Sequence, residues 1–295
     1  MRPRCLVGGR GIWRFMDGAS RTALMVCAYR ARLSRSPAPL FVDPWAEALA
    51  GEEGHAIARD FDRHWPAMEL WLGLRVAYLD RLIGVMTDRP GVRQVVILGA
   101  GYDTRAARLP YSGVRYFEVD HPDTQAAKRA RLATLAGYPV DAATYAPCDF
   151  EREDPVERLA AAGLSAREPT LVIWEGVVPY LTEAAVRATA TSLARGLDPR
   201  SLVAFDVPGK NMADGKKLSA QDHGMRDFIG GLAEPVRFGS DHVAPLLAGC
   251  GFRWVRTLSF DELALEYVGD HDRERLFRFQ RIALASVTRP DAGWP

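Results

Sequence analysis

The pattern of apolar and polar positions changes character near Val92. Before it, apolar residues recur at the spacing of amphipathic helices, which predicts a helical N-terminal part over 20–90. Ser20 and Asp43 stand where N-caps of the first two helices would lie. After it, short apolar segments alternate with helix-like segments, which is typical of a parallel sheet with crossover helices.

This alternation predicts an α/β fold with a Rossmann-like, mostly parallel sheet flanked by helices. Seven strand-like segments occupy 94–98, 115–119, 144–148, 170–174, 201–207, 252–258 and 281–287. Helix-like segments between them occupy 104–109, 121–136, 155–162, 183–196 and 241–250. Residues 208–236 interrupt the alternation, and a long insertion after a strand is typical of a functional lid or a disordered segment. We expect a lid.

Composition narrows the class of partner. The 295 residues are 48% hydrophobic, which is ample for a full core. With 38 Lys+Arg against 37 Asp+Glu, no overall field draws the chain to nucleic acid or to a membrane surface. No apolar run reaches the roughly 20 residues of a membrane span. The four cysteines form no metal-ligand pattern, so no metal site is expected. We expect a cytoplasmic protein with a small-molecule partner, and a homodimer is one open alternative.

A glycine-rich turn follows the first strand-like segment. Gly99-Ala100-Gly101 permits a sharp turn and the close approach of a ligand, which in open α/β sheets lies at the carboxyl ends of strands. A dinucleotide fingerprint requires a third glycine three residues after the second, and Thr104 stands there. The turn therefore predicts a nucleotide-like cofactor, with NAD the less favoured choice.

Acidic residues follow the next three strands. Asp120 lies about 20 residues after the glycines, where a carboxylate can bind both ribose hydroxyls, or can cap the helix after Pro122. Asp149 and Phe150 suit an adenine amino group and its ring face, or a simple turn. Glu175 follows the fourth strand, where an acid favours a cationic amino or sulfonium group.

Three motifs in this order resemble the leucine carboxyl methyltransferase-type family of class I S-adenosylmethionine-dependent methyltransferases. They are Gly-Ala-Gly-Tyr-Asp-Thr-Arg at 99–105, Tyr-Phe-Glu-Val-Asp-His-Pro at 116–122, and Trp-Glu-Gly at 174–176 with Tyr-Leu at 180–181. Segments 20–24 and 41–44 resemble the family too, and the likeness extends over about 20–288. The bacterial branch of small-molecule O-methyltransferases is the best match.

The resemblance implies S-adenosylmethionine as the cofactor. Along the chain, the implied cofactor-binding residues are Arg75, Gly99, Ala100, Gly101, Asp120, Asp149, Phe150 and Glu175. Arg75 would hold the cofactor carboxylate, Asp120 the ribose and Glu175 the methionine portion, with Asp149 and Phe150 framing the adenine. By itself, an arginine among apolar helix residues is more often a charge that extends to the surface than an anion-binding group.

The implied reaction is methyl transfer to a carboxylate or hydroxyl oxygen of a small metabolite, in secondary metabolism. A carboxylate needs no base, whereas a phenol with a pKa of about 10 benefits from one. Weak catalytic candidates are Tyr180, His223 and His242. Tyr180 is equally suited to packing beneath the lid, and the two histidines better suit surface or capping positions. Open alternatives are a nicotinamide-dependent oxidoreductase, carboxyl methylation of a protein C-terminus, and a non-catalytic binding module.

The implied organisation is one domain over 20–295, after a leader or flexible flap at 1–19. Within it we expect a helical cap at 20–90, a cofactor-binding core at 91–207, the lid at 208–236, and the rest of the core at 237–295.

Overall fold

The structure is a computed structural model that describes residues 20–88, 92–269 and 279–290. The predicted leader at 1–19 lies outside the described residues. The helices are α1 Arg21–Ser34, α2 Ala46–Asp62, α3 Met68–Thr87, α4 Arg105–Arg108, α5 Pro122–Leu132, α6 Pro155–Ala161, α7 Glu183–Gly196, α8 Lys210–Asp214, α9 Ala220–Gly231, α10 Val243–Gly249 and α11 Phe260–Val268, with a short 3₁₀ helix at Val178–Tyr180. The strands are β1 Gln94–Leu98, β2 Arg115–Asp120, β3 Ala143–Pro147, β4 Thr170–Trp174, β5 Leu202–Pro208, β6 Trp254–Ser259 and β7 Gln280–Ser286.

The seven strands form one sheet in the order β3-β2-β1-β4-β5-β7-β6. The first five run parallel, and β7 pairs antiparallel with both β5 and β6. The predicted mostly parallel α/β sheet is therefore confirmed. Along the chain, the strand order proceeds outward on one side of β1 and then resumes on the other side with β4. β1 and β4 pair directly, and the carboxyl ends of these two strands mark the switch point at which such sheets bind ligands.

Alternate residues of β1 serve two different cores. Val95 and Ile97 pack with the side chains of α1, α2 and α3 on one face of the sheet. Val96 and Leu98 pack with α6, α7 and α10 on the other. A strand buried on both faces is a continuous apolar run because both sets of side chains leave water. The helical N-terminal part thus covers one face of the sheet next to the switch point.

The two predicted N-caps have different outcomes. Ser20 caps α1 as predicted, and its Oγ accepts a backbone amide of the first turn at 3.1 Å. Asp43 does not cap α2, which begins later, at Ala46. Its Oδ2 instead lies 3.1 Å from Arg30 Nε and accepts the Thr104 hydroxyl at 2.7 Å. Its Oδ1 accepts the amide of Trp45 at 3.1 Å, so Asp43 closes the turn directly before α2 and does not cap the helix itself.

Three helices were not predicted from the hydrophobic pattern. The segment 208–236 holds α8 and α9, and α11 follows β6 directly. Both α9 and α11 begin with a capping box, Ser219 with Asp222 and Ser259 with Glu262. These reciprocal bonds satisfy amides that a helix end leaves free.

Other features concern the chemistry that the fold can support. Cys27, Cys148 and Cys250 are free and buried. Among the described residues, no helix is long and apolar enough to cross a membrane. In the same residues, no cluster of three or more His, Cys, Asp or Glu side chains suits a metal ion.

Candidate active site

A cavity opens at the carboxyl ends of β1, β2, β3 and β4, with further walls from α1 and α3. It encloses about 1410 Å³, part of which is open solvent. Its lining includes every residue that the family resemblance implies for the cofactor: Arg75, Gly99, Ala100, Gly101, Asp120, Asp149, Phe150 and Glu175. The fold therefore brings together side chains that are scattered along the sequence.

The glycine turn forms one wall of this cavity. Gly99 and Gly101 have φ values of 63° and 44°, which L side chains rarely adopt. A Cβ on Gly99 would overlap the side chain of Val177, and one on Gly101 would come within 3.2 Å of the Ala23 methyl carbon. The glycines are therefore required by the turn's own packing, in addition to any ligand that lies against it.

Asp120 holds the glycine turn in place. Its Oδ2 accepts the amide of Gly101 at 2.5 Å, and its Oδ1 accepts the amide of His121 at 2.7 Å. Burial raises the pKa of this carboxyl, and the two amide hydrogen bonds oppose that rise. The alternative of a helix cap is wrong, because His121 is the N-cap of α5 and its Nδ1 accepts the amide of Asp123. Each Asp120 oxygen can accept a further hydrogen bond.

Asp149 and Phe150 lie where β3 runs into the cavity. Asp149 Oδ1 accepts the amide of Glu151 at 3.0 Å, so this residue does form a turn. Phe150 is largely buried against the adjacent core. Glu151 in turn accepts the amide and the hydroxyl of Thr182, the N-cap of α7. The alternative that Asp149 forms a turn is thus confirmed. The role of Asp149 and Phe150 in binding adenine stays a prediction.

Glu175 lies between two buried arginines. Its Oε1 accepts Arg75 Nε at 2.8 Å, and its Oε2 lies 2.6 Å from Arg105 Nη1. Burial raises the pKa of the carboxyl, but the two guanidinium groups outweigh burial and hold the pKa below its ordinary value. Glu175 therefore keeps its negative charge at neutral pH.

Arg75 is a buried residue of the cavity wall, with 6% of its surface exposed, so the alternative of a surface charge is wrong. Its Nη1 donates to Asp206 Oδ2 at 2.7 Å, and Asp206 Oδ1 accepts the amide of Gly176 at 2.6 Å. A Cβ on Gly176 would lie 3.4 Å from Arg75 Nη2, so glycine here permits the guanidinium to approach. Arg75 is thus fixed by two carboxylates, and its binding of a cofactor carboxylate stays a prediction.

Arg105 extends this ion network behind the glycine turn. Its Nη1 lies 2.5 Å from Asp103 Oδ2, and its Nε lies 2.7 Å from Asp80 Oδ1. Asp80 also pairs with Arg108. Burial raises the pKa of Asp103, but Arg105 and Arg30 outweigh it and lower the pKa to about 2. Asp103 therefore keeps its negative charge at neutral pH.

Glu234 enters the cavity from the segment between α9 and β6. Its Oε1 accepts the Ser20 hydroxyl at 2.7 Å, and its Oε2 accepts the Thr22 hydroxyl. Tyr180, from the 3₁₀ helix after β4, lines the same cavity. Burial, and to a smaller extent the negative charge of Glu234, raises the pKa of Tyr180. Glu234 thereby joins the segment after α9 to the start of α1.

The two histidines do not take part in this cavity. His223 is exposed on α9, and His242 is exposed at the start of α10. Neither lines the cavity described above. Of the three catalytic candidates from the sequence, only Tyr180 is brought to the site.

Several site residues were missed by sequence reasoning. Arg105 stands at the end of the first quoted motif, and that position was the available signal for it. Asp206 lies near the carboxyl end of β5, two residues before Pro208 and beside Glu175, so a rule that inspects every strand end would have found it. Glu234 lies in an isolated Ala-Glu-Pro stretch at 233–235 that carries no motif.

Solved structures share this fold. A DUF574 family protein from Streptomyces avermitilis superposes with a TM-score of 0.65 at 15% identity, covering 93% of this chain and 100% of that one. A candidate methyltransferase from Thermobifida fusca gives a TM-score of 0.59 at 13% identity, covering 93% and 96%. At such identities the likeness establishes the fold.

Relatives in sequence identify the class. A candidate S-adenosyl-L-methionine-dependent methyltransferase of Mycolicibacterium gilvum is 34% identical over 258 residues, covering 82% of this chain and 80% of the relative. One from Mycobacterium tuberculosis is 31% identical over 241 residues, covering 76% of each. Residues 23–194 match the model of the leucine carboxyl methyltransferase family. The chain belongs to this family of S-adenosylmethionine-dependent methyltransferases.

Proposed function

We propose that this protein transfers a methyl group from S-adenosylmethionine to an oxygen atom of a small metabolite. The observation that carries the proposal is the convergence of Asp120 and Glu175 on one cavity at the switch point of the sheet. Asp120 suits ribose hydroxyls, and the ionised Glu175 suits a cationic amino group. The cavity thus offers matched groups for the ribose and for the methionine portion of this cofactor.

Features of the turn disfavour NAD. A dinucleotide site places the pyrophosphate at the N-terminus of a long helix after the glycines. Here α4 has only four residues, from Arg105 to Arg108. The side chain of Asp103 is buried and ionised directly behind the turn. A short helix and a fixed negative charge give a pyrophosphate little stabilisation.

Each residue of the site has a defined task in the proposed reaction. S-adenosylmethionine supplies an activated methyl group when it is bound. Asp120 holds the ribose, Asp149 and Phe150 hold the adenine, and Arg75 and Glu175 hold the methionine carboxylate and ammonium groups. Helices α1 and α3 exclude water from the acceptor side. Because the donor is already activated, alignment and the exclusion of water supply most of the catalysis.

An oxygen acceptor of small size accords with the cavity. Apolar side chains of α1 and α3 line it, and they suit the body of a small molecule that buries most of its surface. We propose no nucleic acid or membrane partner, because the chain carries a net charge of +1.

The test is incubation with S-adenosylmethionine that carries a deuterated methyl group, together with acidic and hydroxylated small molecules. Mass spectrometry should locate the label on an acceptor oxygen. Label on nitrogen or carbon refutes the choice of oxygen. Tight S-adenosylhomocysteine binding without any labelled product favours a non-catalytic module instead.

A further inference from the structure

Among the described residues that line the cavity, Asp and Glu side chains outnumber Arg side chains. The acidic side chains that line it are Asp103, Asp120, Asp149, Glu151, Glu175 and Glu234. Two arginines line it, and both are already paired. Arg30 lies 3.1 Å from Asp43 Oδ2 and donates to the Tyr102 carbonyl at 2.6 Å, while Arg75 pairs with two carboxylates. Arg75 is also the residue assigned to the cofactor carboxylate, so a carboxylate acceptor would meet like charge without an uncommitted Lys or Arg among the described lining residues.

The walls that face away from the strand ends are apolar. Met25 and Val26 come from α1, and Met68 and Leu72 come from α3. Such side chains stabilise a hydrocarbon or aromatic body, and methionine adapts to irregular shapes. The polar side chains that line the cavity from the same helices and the α1 N-cap already bond carboxylates of the protein: Ser20, Thr22, Arg30 and Arg75. The acceptor is therefore best satisfied by one neutral polar group on an apolar body.

Glu234 is the acid best suited to meet that polar group. It belongs to none of the four strand ends that the cofactor residues occupy. The Ser20 and Thr22 hydroxyls donate to its two oxygens, and the Thr22 backbone amide also bonds the carboxylate. Of the about four acceptor positions of a carboxylate, one remains for a further donor. Burial raises the pKa of the carboxyl, which makes its ionised form a stronger proton acceptor.

We propose that the acceptor is a neutral alcohol or phenol with an apolar body, and that Glu234 accepts the proton of its hydroxyl. This inference rests on the proposed function. The O–H proton moves to a Glu234 oxygen, and the freed electron pair of the acceptor oxygen forms the bond to the methyl carbon. The electron pair of the S–CH₃ bond returns to sulfur. The products are a methyl ether, S-adenosylhomocysteine and a protonated Glu234, which releases its proton to solvent.

The chemistry of the product separates the two acceptor classes. The protein is incubated with deuterated-methyl S-adenosylmethionine, with 2-naphthol and 2-naphthoate as a matched pair, and with a bacterial culture extract. Products are then treated with mild alkali, which releases labelled methanol from methyl esters and leaves methyl ethers intact. We expect alkali-stable label. Labelled methanol as the main product overturns this inference but leaves oxygen methylation standing, whereas no labelled oxygen product refutes the proposed function itself.

Glu234→Gln tests the residue, and Thr22→Val is its matched control. Glutamine can still accept one of the two hydroxyls through its carbonyl oxygen, and its NH₂ group can donate to the oxygen of the other, but it is a far weaker base. Thr22→Val weakens the link to α1 and keeps the carboxylate. We expect Glu234→Gln to lower kcat by about 100-fold or more, and Thr22→Val by much less.

Two measurements that do not depend on turnover exclude a purely structural role. The affinity for S-adenosylhomocysteine and the melting temperature of Glu234→Gln should match those of the wild type. Equal losses of kcat in both variants, or a kcat for Glu234→Gln within about threefold of wild type, overturn the role of Glu234. If Glu234→Gln does not fold, Glu234→Asp replaces it. This variant retains a carboxylate and should still form the methyl ether at a measurable rate. A folded Glu234→Asp variant that forms no ether also overturns the role of Glu234.

Discussion

Replacing Arg105 by methionine probes the ion network that holds the site. The side chain is 2% exposed and lies 2.7, 2.5 and 2.6 Å from the carboxylates of Asp80, Asp103 and Glu175. Methionine keeps a long side chain and removes the charge. Asp80 then keeps Arg108 as a partner, but Asp103 and Glu175 each lose a counterion. Removing one partner of a buried pair costs about 3–5 kcal/mol, and we expect the free energy of unfolding to fall by that amount.

Urea denaturation of both proteins at several pH values measures the effect. The pKa of Asp103 is lowered from 3.8 to about 2 in the folded state. A lowered folded-state pKa stabilises the fold above the unfolded-state pKa, and this stability is lost as the pH falls through the folded-state value. The difference between wild type and variant should therefore be complete at about pH 6 and shrink between about pH 4 and pH 2.

Arg59→Met is the control, because Arg59 forms an exposed pair with Glu52 and its loss should cost less than about 1 kcal/mol. An Arg105→Met variant that loses no more than this control would refute the reasoning. A difference that stays constant down to about pH 2 would refute the part assigned to Asp103.

Other predictions concern the turn and the histidines. Gly99→Ala should lower the free energy of unfolding by about 1–3 kcal/mol, because Gly99 has a φ of 63° and the added Cβ would overlap Val177. Adding Val177→Ala should restore part of this loss. An unchanged urea midpoint for Gly99→Ala contradicts the prediction. His223→Ala and His242→Ala should each leave kcat within about twofold of wild type, because both side chains are exposed outside the cavity, whereas a loss of about 100-fold would restore a role as general base.

Local pattern was sufficient for most of the fold. The predicted segments 94–98, 170–174 and 183–196 coincide with β1, β4 and α7. Runs of apolar residues identify the strands β1 and β4 because a parallel strand is buried on both faces. The helices α9 and α11 were missed although Ser219 and Ser259 each stand three residues before an acid, which is the sequence pattern of their capping boxes.

The site was only partly predictable. Acids at strand ends follow from the general position of ligands in such sheets, so Asp120 and Glu175 were found. The pairing of Arg75 with Glu175 and Asp206 joins residues 100 and 131 positions apart. Which side chain meets which across such separations depends on tertiary packing. The contacts of Glu234 were unpredictable for the same reason, because its partners Ser20 and Thr22 lie more than 200 positions earlier, at 214 and 212 positions.

We propose that S-adenosylmethionine binds where β1, β2 and β4 end, with Asp120 at its ribose and Glu175 at its methionine portion. The most direct test is calorimetric titration of wild type, Asp120→Ala and Glu175→Ala with S-adenosylhomocysteine and with NAD. The wild type should bind S-adenosylhomocysteine and not NAD. Each variant should bind it more weakly by about 1–3 kcal/mol with the circular dichroism spectrum unchanged. Unchanged affinity in both folded variants, or binding of NAD in place of S-adenosylhomocysteine, would contradict the claim.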